Sequence, residues 1–77
     1  MNIVWDDAKN RKLIFERGIS FEEAAELILQ ERYVDILKNP TKDNQFYFLV
    51  LIKNYIHVVP FLINDKEEIV LKTIFPS

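Results

Sequence analysis

An α+β domain is what this sequence predicts, on three observations. Two helix-boundary signals occupy its first third, seven consecutive apolar residues run from Phe46 to Ile52, and turn residues punctuate its second half. Together they give the order βααββββ, an antiparallel sheet with two N-terminal helices packed on one face. No repeat, low-complexity run or linker divides the chain, so residues 1–77 read as one domain.

Each element has a local reason. Residues 2–5, with Ile3, Val4 and Trp5, favour a short strand. Asp6 or Asp7 then caps a helix over Asp7 to Arg17, because a carboxylate there accepts free backbone N–H groups and suits the dipole. Gly18 is the left-handed stop. Ser20 and Glu23 form a capping box for the next helix. Phe21, Ala24, Ala25 and Ile28 recur at i, i+3, i+4 and i+7, leaving Glu22, Glu23, Glu26 and Gln30 outward.

From Tyr33 the pattern changes to strands. Tyr33 to Leu37 is closed by the loop Asn39 to Asn44. Gln45 to Ile52 reads as a strand covered on both faces. Lys53-Asn54 fits a two-residue hairpin turn. Tyr55 to Ile63 returns, and Pro60 within it predicts a bulge or an edge position. After a turn at Asn64-Asp65-Lys66, the last strand runs from Glu67 to Phe75.

Composition bounds the rest. The 77 residues are 49% hydrophobic, with one glycine, three prolines and no cysteine. Stability must therefore come from apolar burial, and a chain this small hides only about 60% of its unfolded surface. A net charge of −2 argues against a general nucleic-acid coat protein, although a local basic patch is compatible with it. No membrane-length apolar run or secretory leader is readable, so a cytoplasmic protein without membrane association is expected. One histidine without cysteine predicts no metal and no cofactor.

Two short helices cover one sheet face, yet Phe46 to Ile52 is apolar on both. The second face calls for a cover: a second copy of the chain, giving a homodimer through the sheet, a partner protein, or a further C-terminal element. The alternative is a strong twist that lets loop residues and Trp5 cover most of it.

The segments Trp5-Asp6-Asp7-Ala8-Lys9-Asn10 and Gly18-Ile19-Ser20-Phe21-Glu22-Glu23-Ala24 resemble the opening of BrnT-type toxins, in the RelE-like group of toxin–antitoxin ribonucleases. The likeness is specific over about two dozen residues, and beyond Tyr33 it concerns strand order alone. Most of the motif also has a structural reading: caps at Asp6 and Ser20, a stop at Gly18, core at Trp5, Phe21 and Ala24. The resemblance implies a RelE-like fold, metal-independent RNA cleavage, an RNA substrate and neutralisation by a cognate antitoxin.

Such cleavage activates a ribose 2′-OH, stabilises a charged phosphorane-like state and protonates the leaving 5′-oxygen. The candidates are Lys72, where the family tends to carry arginine, His57, the only histidine, and Tyr47, near a position that is often basic in the family. Lys72 also reads as an edge-strand charge, and His57 as a satisfied core residue. Lys9, Arg11 and Lys12, with Arg17, give the first helix a basic surface for an RNA backbone or an acidic antitoxin segment; an ordinary solvated face is the competing reading. The family's basic segment after the last strand has no counterpart before Ser77. Two expectations follow: an extension beyond Ser77 that carries it, or a weakened or non-catalytic relative. No glycine-rich phosphate loop and no nucleophile elbow is present. The leading expectation is thus a type II toxin acting on RNA; the alternative is a non-catalytic protein-interaction or dimerisation domain of the same fold.

Overall fold

Asp6, in extended conformation, accepts the Lys9 backbone N–H at 3.0 Å and starts α1 (Asp7–Arg17). The computed structural model describes residues 2–77. Gly18 ends α1 at φ 66°, its N–H donating to the Ile14 carbonyl, as the left-handed stop requires. In α2 (Phe21–Leu29) the capping box is complete: the Ser20 hydroxyl accepts from Glu23 N–H and the Glu23 carboxylate accepts from Ser20 N–H, both at 3.1 Å. Its stripe of Phe21, Ala24, Ala25 and Ile28 is buried.

The strands are β1 (Ile3–Val4), β2 (Tyr33–Lys38), β3 (Gln45–Ile52), β4 (Tyr55–Ile63), β5 (Ile69–Leu71) and β6 (Phe75–Pro76). Their order across the sheet is β1-β5-β4-β3-β2, with β6 beside β4. All pairs are antiparallel except β1 with β5, where Ile3 meets Ile69 in parallel register. No tight turn joins those two strands, so nothing forces them to run in opposite directions. Lys53 and Asn54 hold φ of 52° and 64°, the doubly positive pair of a type I′ hairpin.

The expected last strand is interrupted. Leu71 faces Phe61 and Phe75 faces Val58, so three residues (Lys72, Thr73, Ile74) span the gap that Pro60 and Val59 span on β4. That is a one-residue bulge. Its cause lies opposite: the Pro60 carbonyl accepts Lys72 N–H at 2.8 Å, so Pro60 turns toward this strand the edge on which it has no donor. The Pro60 irregularity is therefore a bulge in the neighbouring strand, and β4 itself is interior and pairs with β3 without a break. Glu67, expected in this strand, sits instead in the preceding turn with φ 62°.

The two faces of the sheet differ. Phe48, Val50 and Ile52 on β3, Val59 and Phe61 on β4, Leu71, and Ile74 from the bulge form the core beneath the helices. Phe48 and Phe61 stack at 4.3 Å between ring centroids. Leu37, Leu49, Leu51, Ile56, Val58 and Leu62 alternate onto the opposite face, where no helix lies. Trp5 does not cover that face; it stacks on Phe21 at 5.9 Å on the helix side.

Candidate functional site

Asn10 joins the two helices. Its side chain is 6% exposed; the carbonyl oxygen accepts Phe21 N–H at 2.7 Å and the amide donates to the Glu22 carboxylate at 2.6 Å. The Asn10 amide is the main reason the Glu22 carboxyl is held below its ordinary value of 4.5; Glu22's own backbone N–H adds to it. This clamp fixes which face of α1 looks toward the bulge, and Lys9 adjoins it.

Two cations cross from α1 to the bulge. Lys9 Nζ donates to the Lys72 carbonyl at 3.2 Å, and Arg17 Nη1 donates to the Ile74 carbonyl at 3.1 Å. These carbonyls are off the ladder because the strand bulges, so the bulge creates acceptors and α1 supplies donors. Between them, Lys9, Lys12, Leu13, Glu16, Arg17 and Thr73 line a cleft of about 240 Å³. Bulges commonly re-aim a side chain beside a functional site. Here the extra residue brings Thr73 to the helix side together with Ile74, which is wholly buried.

The cleft holds three cations, one carboxylate and one hydroxyl. That set suits a phosphodiester: lysine and arginine neutralise its charge, the threonine hydroxyl donates, and the carboxylate is the group able to accept a proton. The volume falls below the roughly 300–1,000 Å³ of sites that enclose a whole small ligand. It fits one link of a polymer.

The sequence-derived candidates separate. Lys9 and Lys12 line the cleft, and Arg11 does not. Lys72 contributes its carbonyl to Lys9, while its side chain is exposed beside Pro60. Tyr47 faces Pro60 from β3, so Tyr47 and Lys72 flank that proline on the outer face. His57 lies on the core face, 8% exposed, with Nδ1 2.8 Å from the Tyr55 carbonyl. The three candidates expected to act together thus fall on two sides of the sheet. Glu16 and Thr73 were not singled out from sequence. The signal for Thr73 was Pro60, whose missing donor displaces the strand beside it.

A second cleft of about 340 Å³, lined chiefly by apolar side chains including Ile3, Ile28, Tyr33 and Phe48, opens at the far end of α2. Among the described residues no helix is long and apolar enough to cross a membrane.

No protein-family model matches the chain, and no curated protein matches it. Among solved structures it is similar to the crystal structure of BrnT, the ribonuclease toxin of Brucella abortus, with a TM-score of 0.71 and 23% identity, over 100% of this chain and 96% of that one. The two helices and the mostly antiparallel six-stranded sheet agree with that structure: the chain has the BrnT toxin fold.

Proposed function

We propose that this protein is the toxin of a type II toxin–antitoxin pair and cleaves RNA in the cleft between α1 and the bulge. The observation that carries the reading is the convergence of Lys9, Lys12, Arg17, Glu16 and Thr73 around a space sized for one phosphodiester. The neighbouring fold is that of a ribonuclease toxin, which supports it.

In this reading Lys12 and Arg17 hold the non-bridging oxygens of the scissile phosphate, and Lys9 adds positive charge from the bulge side. Glu16 takes the proton of the ribose 2′-OH. The 2′-oxygen then bonds to phosphorus, and the bond from phosphorus to the 5′-oxygen breaks. The leaving oxygen takes a proton from the Lys12 ammonium or from water. The products are a 2′,3′-cyclic phosphate and a 5′-hydroxyl. The cations act mainly on the extra charge of the phosphorane-like state, and loss of one such donor costs typically about 10²–10³ in rate.

The antitoxin is assigned to the bare outer face of the sheet, where Leu51 is 50% exposed and Phe75 38%. A protein segment with an apolar face is the chemistry that would cover it. The same bare face favours a second reading, an interaction domain without catalysis. Induced expression separates the two. The toxin reading expects growth arrest that is lost in a Lys12→Ala, Glu16→Gln double variant which remains soluble and folded. Unimpeded growth with abundant folded wild-type protein supports the interaction domain instead.

A further inference from the structure

Phe15 stands apart from every other large apolar residue of this fold. It lies in the middle of the last two turns of α1 and is 90% exposed, whereas the next most exposed, Tyr55, is at 65% in a hairpin. Burial gains nothing from it there, and its contact with water is unfavourable. Its neighbours are informative. At about 100° per residue along a helix, Phe15 sits roughly 40° from Arg11 and 60° from Lys12 around the axis. Both are i+4 or i+3 partners, with Cβ atoms about 5–6 Å away. Lys12 is also a wall of the cleft. A flat apolar ring is therefore flanked by two cations, one of which is shared with the phosphodiester site.

We infer that Phe15 is a stacking platform for one base of a single-stranded RNA whose phosphate lies in the Lys9, Lys12 and Arg17 cleft, with Arg11 holding the adjacent phosphate outside it. This rests on the RNA-cleavage reading and adds to it a base subsite and a use for Arg11. Two facts favour RNA as the occupant over a protein. The ring is bordered by positive charge, complementary to a polyanion. The cleft opens to solvent beside Lys12, and Phe15 is the exposed aromatic on the adjoining helix face, where the base of a bound link can reach it. Aromatic stacking next to a basic groove is the general arrangement for single strands, and it tolerates any base because every base has a π face.

The test is equilibrium binding of a short single-stranded RNA, 2′-O-methylated to block cleavage and carrying one 2-aminopurine. The partner oligomer is abasic at that position. Wild-type protein should bind the first with quenched 2-aminopurine fluorescence and bind the abasic oligomer about tenfold more weakly, within the range for loss of one stacked base. Phe15→Ala should bind both alike, at the weaker level and without quenching, and Phe15→Trp should restore the difference. Lys12→Ala should weaken both oligomers. If wild type binds neither oligomer, the RNA reading fails and this inference with it. If wild type binds both equally and Phe15→Ala changes nothing, the stacking platform alone is overturned. Unchanged RNA binding together with loss of self-association in Phe15→Ala would make the ring a protein contact, which also overturns it.

Discussion

Replacing Asn10 with alanine should destabilise the fold by about 2–3 kcal/mol, and the magnitude follows from the bonds it breaks. Asn10 accepts the buried Phe21 N–H at 2.7 Å. Phe21 is the first residue of α2, so that N–H has no partner within the helix. Leaving a buried donor unpaired costs about 1–3 kcal/mol. The bond to Glu22 contributes less, because Glu22 is exposed and water replaces the amide. A 77-residue domain has roughly 4–12 kcal/mol in total. The loss should lower Tm by about 10–20 °C, at about 4–8 °C per kcal/mol. Urea unfolding followed by circular dichroism measures it directly. Asn10→Asp sharpens the test: it keeps the acceptor for Phe21 but sets a second carboxylate against Glu22. It should be destabilised at pH 7 and recover toward wild type as the pair protonates. A loss below 1 kcal/mol in Asn10→Ala, with RNA cleavage abolished, would refute the reasoning and move Asn10 from the scaffold into the chemistry.

The remaining predictions are of several kinds. Ser20→Ala removes one half of the capping box and should cost about 1 kcal/mol, read as a lower urea midpoint with an unchanged slope. Because the Glu22 pKa is depressed in the fold, its contribution is present above about 4.5 and is lost as pH falls through the lower folded value. Glu22→Gln should therefore lose less stability than wild type between pH 5 and pH 3; parallel loss in the two proteins would show that Glu22 is not linked to acid unfolding. Leu51→Glu, on the outer sheet face, should leave Tm within a few degrees while abolishing protection by a co-expressed antitoxin. Retained protection would place that partner elsewhere.

Local chemistry made much of the fold legible in the sequence. The Asp6 cap, the Gly18 stop and the Ser20–Glu23 box act within three or four residues, so both limits of α1 and the start of α2 could be read without tertiary information. The Lys53-Asn54 turn was readable for the same reason. What could not be read depends on residues far apart in the chain. The parallel pairing of β1 with β5 joins Ile3 to Ile69, and no local signal sets its direction. The bulge needed Pro60 and the segment Lys72–Ile74 to be known neighbours. The site shows the same division. Lys9 and Lys12 were visible as charges on one helix, but Thr73 and Glu16 joined the candidate cleft only when the bulge met α1. Lys72 and Tyr47 came from positions that the family resemblance implies, and His57 from being the only histidine. The alternation of side chains across the strands then placed His57 on the face opposite the other two.

The cleavage of single-stranded RNA by purified protein in the presence of a metal chelator tests the central claim most directly. Lys12 is the residue to vary, since Lys9 and Arg17 make the hydrogen bonds from α1 to the bulge. The cleft reading predicts 2′,3′-cyclic phosphate ends from wild type and a rate at least about 100-fold lower for Lys12→Ala at unchanged Tm. Full-rate cleavage by a folded Lys12→Ala variant, or none by wild type, would contradict it.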